Sequence, residues 1–474
     1  MKKLIVSIVF FLLPAIAWAN SWKFIPRMPL GRYGHGAVCG PDGKIYVMGG
    51  WPFEIKNGKI VGQENMGWYS NLAYDPKTRT WQYLEPVPGS ETDSYNGHYR
   101  YNQNTRNWEW IEPAKLLNSV VYDKKKKKWV PRPVDEPILY KVSPNGHFKP
   151  GLKPRYVTMM KSKVATFRNT EADRQGNGVS VVAAKDGRIW WIGGQGGFAS
   201  EGENIVLPYD PATNSWPKAS VVYIRNMKGW RPGYHPGWLL AHADKSVRPC
   251  GDIFTAYHTR IPPMHERRID AQAVVTPDGK IYVMGGWRLR QKDGDSPLVG
   301  IVSNTMECYD PKTNTWQYKK PVSSPRADFA AAAGPDGRIY VFGGPSGMPD
   351  EPKTKVLDTT EIYDPKTDSW SLGKHMPEPR GFGAAVLAAN GKIYLMGGTK
   401  GAGDSSPPLA DVFIYDPVRN SWQRGPSMNI PRSNPAAAAT PDGKIYIIGG
   451  SDVGAHWFNA GIVQDTVEVL DVSQ

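Results

Sequence analysis

Cysteine is rare in this chain of 474 residues, and long apolar runs are almost absent. The three cysteines, Cys39, Cys250 and Cys308, cannot all pair, so at most one disulfide is expected. No CxxC pair occurs, which removes support for a redox motif or a structural zinc site, and no metal or organic cofactor is expected. Beyond the first 19 residues no apolar run could span a membrane, and the scarcity of such runs argues against a helical protein.

Glycine, proline and aromatic residues are abundant instead. The chain has 50 Gly, 42 Pro, 18 Trp and 23 Tyr, a composition typical of many short strands joined by tight turns. Its 58 Lys and Arg against 44 Asp and Glu give a formal net charge of +14. This excess predicts an anionic partner, whether an acidic protein, a polysaccharide or lipid headgroups. No nucleic-acid-binding motif is present, so nucleic acid is not the expected partner.

Residues 1–19 have the pattern of a bacterial export signal. Lys2 and Lys3 precede the apolar run Leu4 to Leu13, and Ala17-Trp18-Ala19 is a small-x-small site for cleavage before Asn20. A retained anchor is the alternative, but the run is shorter than the roughly 20 residues that span a bilayer. The sequence therefore predicts a periplasmic or secreted mature protein, residues 20–474, built as one domain.

A hairpin pattern occurs six times. Each copy has an Asp-Gly or Asn-Gly turn, then Lys or Arg, a short apolar strand and a Gly-Gly pair. The turns are Asp42-Gly43, Asp186-Gly187, Asp278-Gly279, Asp336-Gly337, Asn390-Gly391 and Asp442-Gly443. A second signature, Tyr-Asp-Pro-x-Thr-x-x-Trp or a close variant, follows five of them: Tyr74 to Trp81, Tyr209 to Trp216, Tyr309 to Trp316, Tyr363 to Trp370 and Tyr415 to Trp422. Two hairpins make a four-stranded sheet, and such sheets at regular spacing pack around an axis as the blades of a β-propeller.

The repeat resembles the kelch family. The resemblance rests on a first strand led by Arg, on IYVMGG and on YDPKTNTW, and it covers most of the chain. It implies an all-β propeller, whereas for function it leaves binding platforms, carbohydrate-acting enzymes and copper oxidases open.

The chain ends predict how the ring closes, and one long insertion leaves the number of blades open. The last copy offers three strands, and residues 21–25 supply the missing outer strand, so the N-terminus completes the C-terminal blade. Between Gly50 and Gly194 lie two further hairpins, Tyr95 to Ile111 and Ser119 to Val130, and the second keeps the Tyr and Trp landmarks. Seven blades, one of them degenerate, are favoured over six blades plus a large insertion.

Every long connection is predicted on one face. The turns within each hairpin are short, whereas the segments 51–70, 287–305, 345–360, 399–411 and 451–465 are long and variable. The two largest insertions, 132–175 and 217–262, lie between blades and emerge on the same face. Since a rigid scaffold positions its loops for function, this decorated face is the predicted binding face.

Two groups of candidate binding residues belong to this face. The first surrounds the mouth of the central channel, where Arg suits carboxylate or phosphate recognition: Arg32, Arg268, Asp270, Arg326, Asp328, Arg380 and Arg432. The alternative is a structural role, in which each Arg pairs with backbone carbonyls or with an acid of the neighbouring blade. The position two residues after the Arg varies from blade to blade, which favours a tuned pocket. The second group lies in the aromatic insertion: Trp230, Tyr234, His235, Trp238, Tyr257 and His258.

The leading functional prediction is a binding scaffold for an anionic protein or glycan, with no catalytic residue assigned. One enzyme alternative resembles the periplasmic kelch sialic-acid mutarotases, for which Asp270 and Asp328 would offer paired carboxylates, but no catalytic motif matches residue by residue. The other resembles galactose oxidase. For that chemistry His35 and Cys39 lack the required companions.

Overall fold

The computed structural model describes sixteen stretches of the chain, and the structural statements below concern them alone. They are residues 21–56, 59–62, 71–85, 98–102, 107–111, 120–123, 128–131, 178–194, 204–217, 219–225, 250–257, 261–291, 298–347, 354–402, 406–452 and 463–473. These stretches contain strands, bridges and turns, and none forms a helix of the length and apolarity that crossing a membrane requires.

Six antiparallel sheets, numbered here as blades 1 to 6 in chain order of their inner strands, surround a channel. Blades 3, 4 and 5 each have four strands in sequential order, inner strand first. The strands of blade 3 are Gln272–Val275, Ile281–Met284, Met306–Asp310 and Thr315–Lys319. The strands of blade 4 are Ala330–Ala333, Ile339–Phe342, Thr360–Asp364 and Ser369–Leu372. The strands of blade 5 are Ala384–Leu387, Ile393–Met396, Val412–Asp416 and Ser421–Arg424.

Blades 1 and 2 depart from this pattern. The strands of blade 1 are Gly31–Cys39, Ile45–Lys56, Leu72–Asp75 and Thr80–Tyr83, with Lys59–Gly62 paired to the extended second strand. Those of blade 2 are Ser180–Ala183, Ile189–Ile192 and Val206–Tyr209. Its fourth strand is reduced to the bridge between Asp210 and Ser215, after which the chain enters a separate hairpin, Ala219–Arg225 with Cys250–Tyr257.

Blade 6 joins the two ends of the chain, as the sequence predicted. Its strands from the inside outwards are Ala436–Ala439, Lys444–Ile448, Val467–Asp471 and the N-terminal Lys23–Ile25. Phe24 pairs with Glu468 in antiparallel register. The N-terminal strand thereby covers an edge that would otherwise be free to pair with another chain.

The ring has six blades, so the preference for seven was wrong and the alternative of six with an insertion is correct. The inner strand of blade 1 contacts the inner strand of blade 2 directly, and the other neighbours follow in order around to blade 6 and back to blade 1. The hairpins His98–Asn102 with Asn107–Ile111, and Val120–Asp123 with Lys128–Pro131, do form. They are separate two-stranded sheets, because neither follows an inner hairpin with its Gly-Gly pair.

The core lies between adjacent sheets and uses the repeated aromatic residues. In blade 3, the rings of Tyr309 and Trp316 lie 5.3 Å apart, and both side chains are buried. The Tyr309 hydroxyl donates to Asn314 Oδ1 at 2.8 Å, and Trp316 Nε1 donates to the carbonyl of Pro262 at 2.8 Å. The Tyr–Trp pair therefore buries a large apolar area while its polar atoms keep hydrogen-bond partners. The bond from Trp316 also attaches the fourth strand to the segment that leads into blade 3.

The Gly-Gly pairs allow close approach between neighbouring blades. Gly343 has a φ of +58°, and a Cβ atom built on it would collide with the carbonyl oxygen of Arg380 in the next blade. The next glycine, Gly344, donates its N–H to that carbonyl at 2.9 Å. A larger residue at Gly343 would therefore separate blades 4 and 5.

Candidate functional site at the channel mouth

The described connections distribute between the two faces as the sequence predicted. Within blades 3 to 6 the first and second strands are joined by tight turns such as 334–338, whereas the second and third strands are far apart in sequence. In blade 3 the latter connection carries a hairpin of its own, Trp287–Gln291 paired with Leu298–Val302. The long connections and the crossings between blades share the face at which the inner strands begin.

Six backbone hydrogen bonds close a circle at this mouth. One residue from each blade takes part, donating its N–H to the carbonyl of the member before it at 2.7–3.2 Å, and Gly34 completes the circle by donating to Asn434. All six have a left-handed φ between +47° and +64°. The members of this mouth ring are Gly34, Gly178, Asp270, Asp328, Phe382 and Asn434.

The mouth ring gives a backbone reason for the variety at this position. Gly, Asn and Asp adopt left-handed φ most readily, and five of the six members are of these types. Phe382 is the exception, and its side chain is buried. The differences in residue type at this position, which predicted a tuned pocket, are thus in large part explained by a shared requirement for a left-handed φ.

Asp270 and Asp328 are consecutive members of the mouth ring, and both line a cavity of about 70 Å³. Asp270 Oδ2 accepts from Trp287 Nε1 at 2.6 Å, while its other carboxylate oxygen would collide with a Cβ atom at Gly178. Burial raises the pKa of Asp270 to about 6, against the opposing effect of the Trp287 hydrogen bond. Burial and the neighbouring charge of Asp270 raise the pKa of Asp328 well above its usual range.

The five predicted arginines do not present their charge at the mouth. Each is at most 1% exposed. Each Nη1 donates at 2.7–3.1 Å to the carbonyl of the first glycine in its own Gly-Gly pair; the pairs are Arg32 with Gly49, Arg268 with Gly285, Arg326 with Gly343, Arg380 with Gly397 and Arg432 with Gly449. The bonds to backbone carbonyls match the alternative of a structural role, and these buried guanidinium groups form no clamp for a carboxylated sugar. The acids that pair with three of them lie in the arginine's own blade and not in the neighbouring blade.

Three buried glutamates complete this arrangement, and the sequence analysis missed them. Glu307, Glu361 and Glu468 are at most 1% exposed and accept from Nη2 of the arginine in their own blade. Each also accepts the backbone N–H of the residue three positions before that arginine. These donors are His265, Ser323 and Asn429, at 2.7–3.1 Å.

A pattern in the sequence could have revealed these glutamates. In blades 1 and 5 the residue three positions before the arginine is Pro29 or Pro377, which has no N–H to donate. There the glutamate position holds Leu72 or Phe413. In blade 5 the guanidinium of Arg380 lies 4.8 Å from the centre of the Phe413 ring, so a cation–π contact takes the place of the buried glutamate. The ion pair of Arg380 is instead with Glu378, at 3.7 Å.

The aromatic insertion falls mainly beyond the described residues. Trp230, Tyr234, His235, Trp238 and His258 lie outside them, and Tyr257 ends the strand Cys250–Tyr257 without a described side chain. The side chain of Cys250 is likewise outside, whereas Cys39 and Cys308 are free thiols.

His35 is a buried histidine next to the mouth ring. It is 6% exposed, and its ring approaches Gly449 of blade 6. Neither ring nitrogen has a well-formed hydrogen bond. Burial and then the charge of Arg32 lower its pKa well below the usual range, and a weak hydrogen bond that the ring donates to the Ile448 carbonyl opposes this only in part. The imidazole is therefore neutral at physiological pH.

Replacing His35 by phenylalanine is expected to raise the free energy of unfolding by about 1–3 kcal/mol, since a buried polar ring that lacks a well-formed hydrogen bond is removed. Phe329 holds the equivalent place in blade 4 and packs on Gly285 as His35 packs on Gly449. The gain should grow below about pH 6.5, because the unfolded chain then takes up a proton that folded His35 refuses. Urea unfolding at pH 7.5 and 5.5 measures both effects, with the exposed His375→Phe as control. No gain, or an equal gain in the control, would contradict this account.

The mouth ring, the aromatic core between blades and the closing N-terminal strand together define a six-bladed β-propeller built from sequence repeats. Family models confirm the class: the KLHDC2/KLHL20/DRC7 Kelch-repeats domain matches residues 271–473, and the Kelch motif matches residues 31–88. The chain belongs to the kelch-repeat family.

Several curated proteins resemble parts of the chain. Alpha-scruin of Limulus polyphemus is 31% identical over 40% of this chain and 20% of its own length. Kelch repeat and BTB domain-containing protein 12 of Homo sapiens is 32% identical over 34% of this chain and 27% of its own length, and Kelch-like protein 26 of Danio rerio is 32% identical over 40% and 28%. The matches thus span less than a third of these relatives.

A solved structure resembles almost the whole chain. It is titled "Structure of YjhT", has a TM-score of 0.50 and is 13% identical. The likeness covers 94% of this chain and 96% of that one. At this identity it supports the propeller fold alone.

Proposed function

We propose that the protein is an exported scaffold that binds an anionic protein or glycan through its decorated face. Kelch propellers are typical protein-interaction scaffolds. The observation that supports the proposal most strongly is the asymmetry of the ring: the long connections lie on one face of a closed scaffold, and tight turns occupy the other. Such a scaffold can hold variable loops in fixed relative positions.

An anionic partner is proposed because the buried arginines do not account for the excess positive charge of the chain. The five arginines of the inner strands are buried, and three of them are neutralised by glutamates, so they contribute little at the surface. The insertion 132–175, which the sequence predicts on the decorated face, carries nine basic residues: Arg132, Lys141, Lys149, Lys153, Arg155, Lys161, Lys163, Arg168 and Arg174. Cationic groups on one face attract an acidic surface and speed its approach. Export by residues 1–19 would bring this face to the periplasm or the cell exterior.

Neutralising the basic insertion should abolish capture of acidic probes. The test variant changes Lys149, Lys153, Lys161 and Lys163 to Gln; the probes are immobilised polyglutamate and a sulfated polysaccharide. The matched control neutralises four lysines on turns of the opposite face: Lys77, Lys312, Lys366 and Lys392. We expect binding that weakens with salt and is lost only in the first variant, as measured by surface plasmon resonance. Equal losses in both variants, or no binding by the unmodified protein, would contradict the proposal.

A further inference from the structure

Asp270 and Asp328 face a part of the channel mouth that offers them little compensating charge. The lining of their cavity includes no lysine or arginine; besides the ring it is formed by His35, Val179, Ala271, Gln272, Phe329, Gly383 and Pro435. His35 is its one basic side chain and is neutral, as its lowered pKa shows. Blades 2, 5 and 6 contribute no ionisable group to this lining.

The nearest arginines along the chain are turned away from the two carboxyl groups. Arg268 and Arg326 precede Asp270 and Asp328 by two residues, but their guanidinium groups donate to glycine carbonyls within their own blades and to the buried glutamates Glu307 and Glu361. Their charges are thus already balanced. The donor to Asp270 in this neighbourhood is Trp287, which is neutral.

Two neighbouring carboxyl groups in such a setting resist ionising together. Burial disfavours each charge, and the second charge adds repulsion to the first. The Asp328 N–H donates to the Asp270 carbonyl at 3.2 Å, so one hydrogen bond of the mouth ring joins the two residues directly. Repulsion between their side chains would act across this backbone link between blades 3 and 4.

We propose that Asp270 and Asp328 hold one proton between them, and that loss of this proton loosens the mouth ring between blades 3 and 4. The proton goes to solvent and leaves two carboxylates; its return restores the closed ring. The raised pKa values of both groups agree with this assignment.

Loosening of the ring has a direct route to the decorated face. Trp287, which donates to Asp270, is the first residue of the strand Trp287–Gln291 and forms a bridge with Ile269. A change in the carboxyl pair thus reaches the base of the hairpin that blade 3 contributes to that face. The mouth would be closed in acid and more open as the pH rises, whichever partner the face binds.

Amide hydrogen exchange tests the proposal. After correction for intrinsic exchange rates, the opening constant at the amides of Asp328 and Phe382 should rise with pH by up to about tenfold per unit, because one proton is released on opening. The double variant Asp270→Asn/Asp328→Asn should remove this dependence while keeping an acceptor for Trp287. A flat profile in the unmodified protein, or a dependence that survives in the double variant, would overturn the proposal.

Two further measurements guard against an indirect effect. Asn434→Asp adds a third carboxyl to the lining of the same cavity, so it should shift the pH dependence at Asp328 to higher pH, whereas an indirect effect would leave that dependence unchanged. Infrared spectra at pH 7 should show a protonated carboxyl band that Asp328→Asn removes. Absence of that band in the unmodified protein would show that no proton is shared.

Discussion

Replacing Glu361 by leucine is expected to lower the free energy of unfolding by about 3–5 kcal/mol. The carboxylate of Glu361 is 1% exposed and accepts from Nη2 of Arg326 and from both the N–H and the hydroxyl of Ser323. Leucine of similar size fills the space but leaves the Arg326 charge buried without its anion. Equilibrium unfolding in urea, followed by tryptophan fluorescence, measures the loss.

The chain offers both a control and a rescue for this variant. Asp465→Asn breaks the exposed pair between Arg27 and Asp465, where Arg27 is 69% exposed, and should cost no more than about 1 kcal/mol. Adding Ser323→Pro to Glu361→Leu copies the natural combination of Pro29 and Leu72 in blade 1. It should recover only part of the loss, because the N–H and hydroxyl of Ser323 that needed Glu361 are gone while the Arg326 charge remains. A single-variant cost as small as that of the control would show that the buried pair is not a principal restraint in blade 4.

Local signals in the sequence were sufficient for most of the fold. Turns such as Asp336-Gly337 demand a positive φ at glycine, and the structure gives Gly337 a φ of +80°. The spacing from Tyr363 to Trp370 fixes a hairpin whose rings meet 5.1 Å apart. The closing strand was predictable because the last repeat lacked one. Each of these inferences needs only residues that are close in sequence or a strand that is plainly missing.

The number of blades was not predictable in the same way. The hairpin of Val120–Asp123 and Lys128–Pro131 keeps the Tyr and Trp landmarks of an outer hairpin. Whether a hairpin enters the ring depends on an inner strand that packs against both neighbours, and the inner strands of blades 1 and 2 already touch. That contact joins residues more than 130 positions apart, so no local pattern reports it.

In the candidate site, too, the positions of residues were predictable from the sequence, whereas their distant contacts were not. The repeat located Arg326 and its counterparts correctly, but it could not show that the guanidinium points into the blade, since its partner Glu361 lies 35 residues further on. The mouth ring could not be predicted from side-chain chemistry, because its members share a backbone φ and not a residue type. Gly178 and Asp328 are chemically unrelated but have the same left-handed conformation.

Replacing Trp22 by alanine should destabilise the protein by about 3–5 kcal/mol, because this residue anchors the strand that closes the ring. Trp22 is 5% exposed and packs between blades 5 and 6. Its Nε1 donates to the carbonyl of Pro426 at 2.8 Å, and its own carbonyl accepts from Asn429 Nδ2 at 3.0 Å. Truncation leaves a cavity in the core and releases the start of the strand Lys23–Ile25.

The matched control lies two residues further on, in the strand Lys23–Ile25 that Trp22 precedes. Phe24 is 52% exposed, so Phe24→Ala should change stability by less than about 1 kcal/mol. If Trp22 holds the ring closed, its variant should also self-associate as concentration rises, since the edge of Val467–Asp471 becomes available to other chains. Urea unfolding and light scattering separate the two effects: destabilisation without association would mean that the strand stays paired when its anchor is lost. Equal behaviour of the two variants would show that Trp22 does not anchor the closure, leaving the backbone pairing of Lys23–Ile25 with Val467–Val469 as the principal restraint.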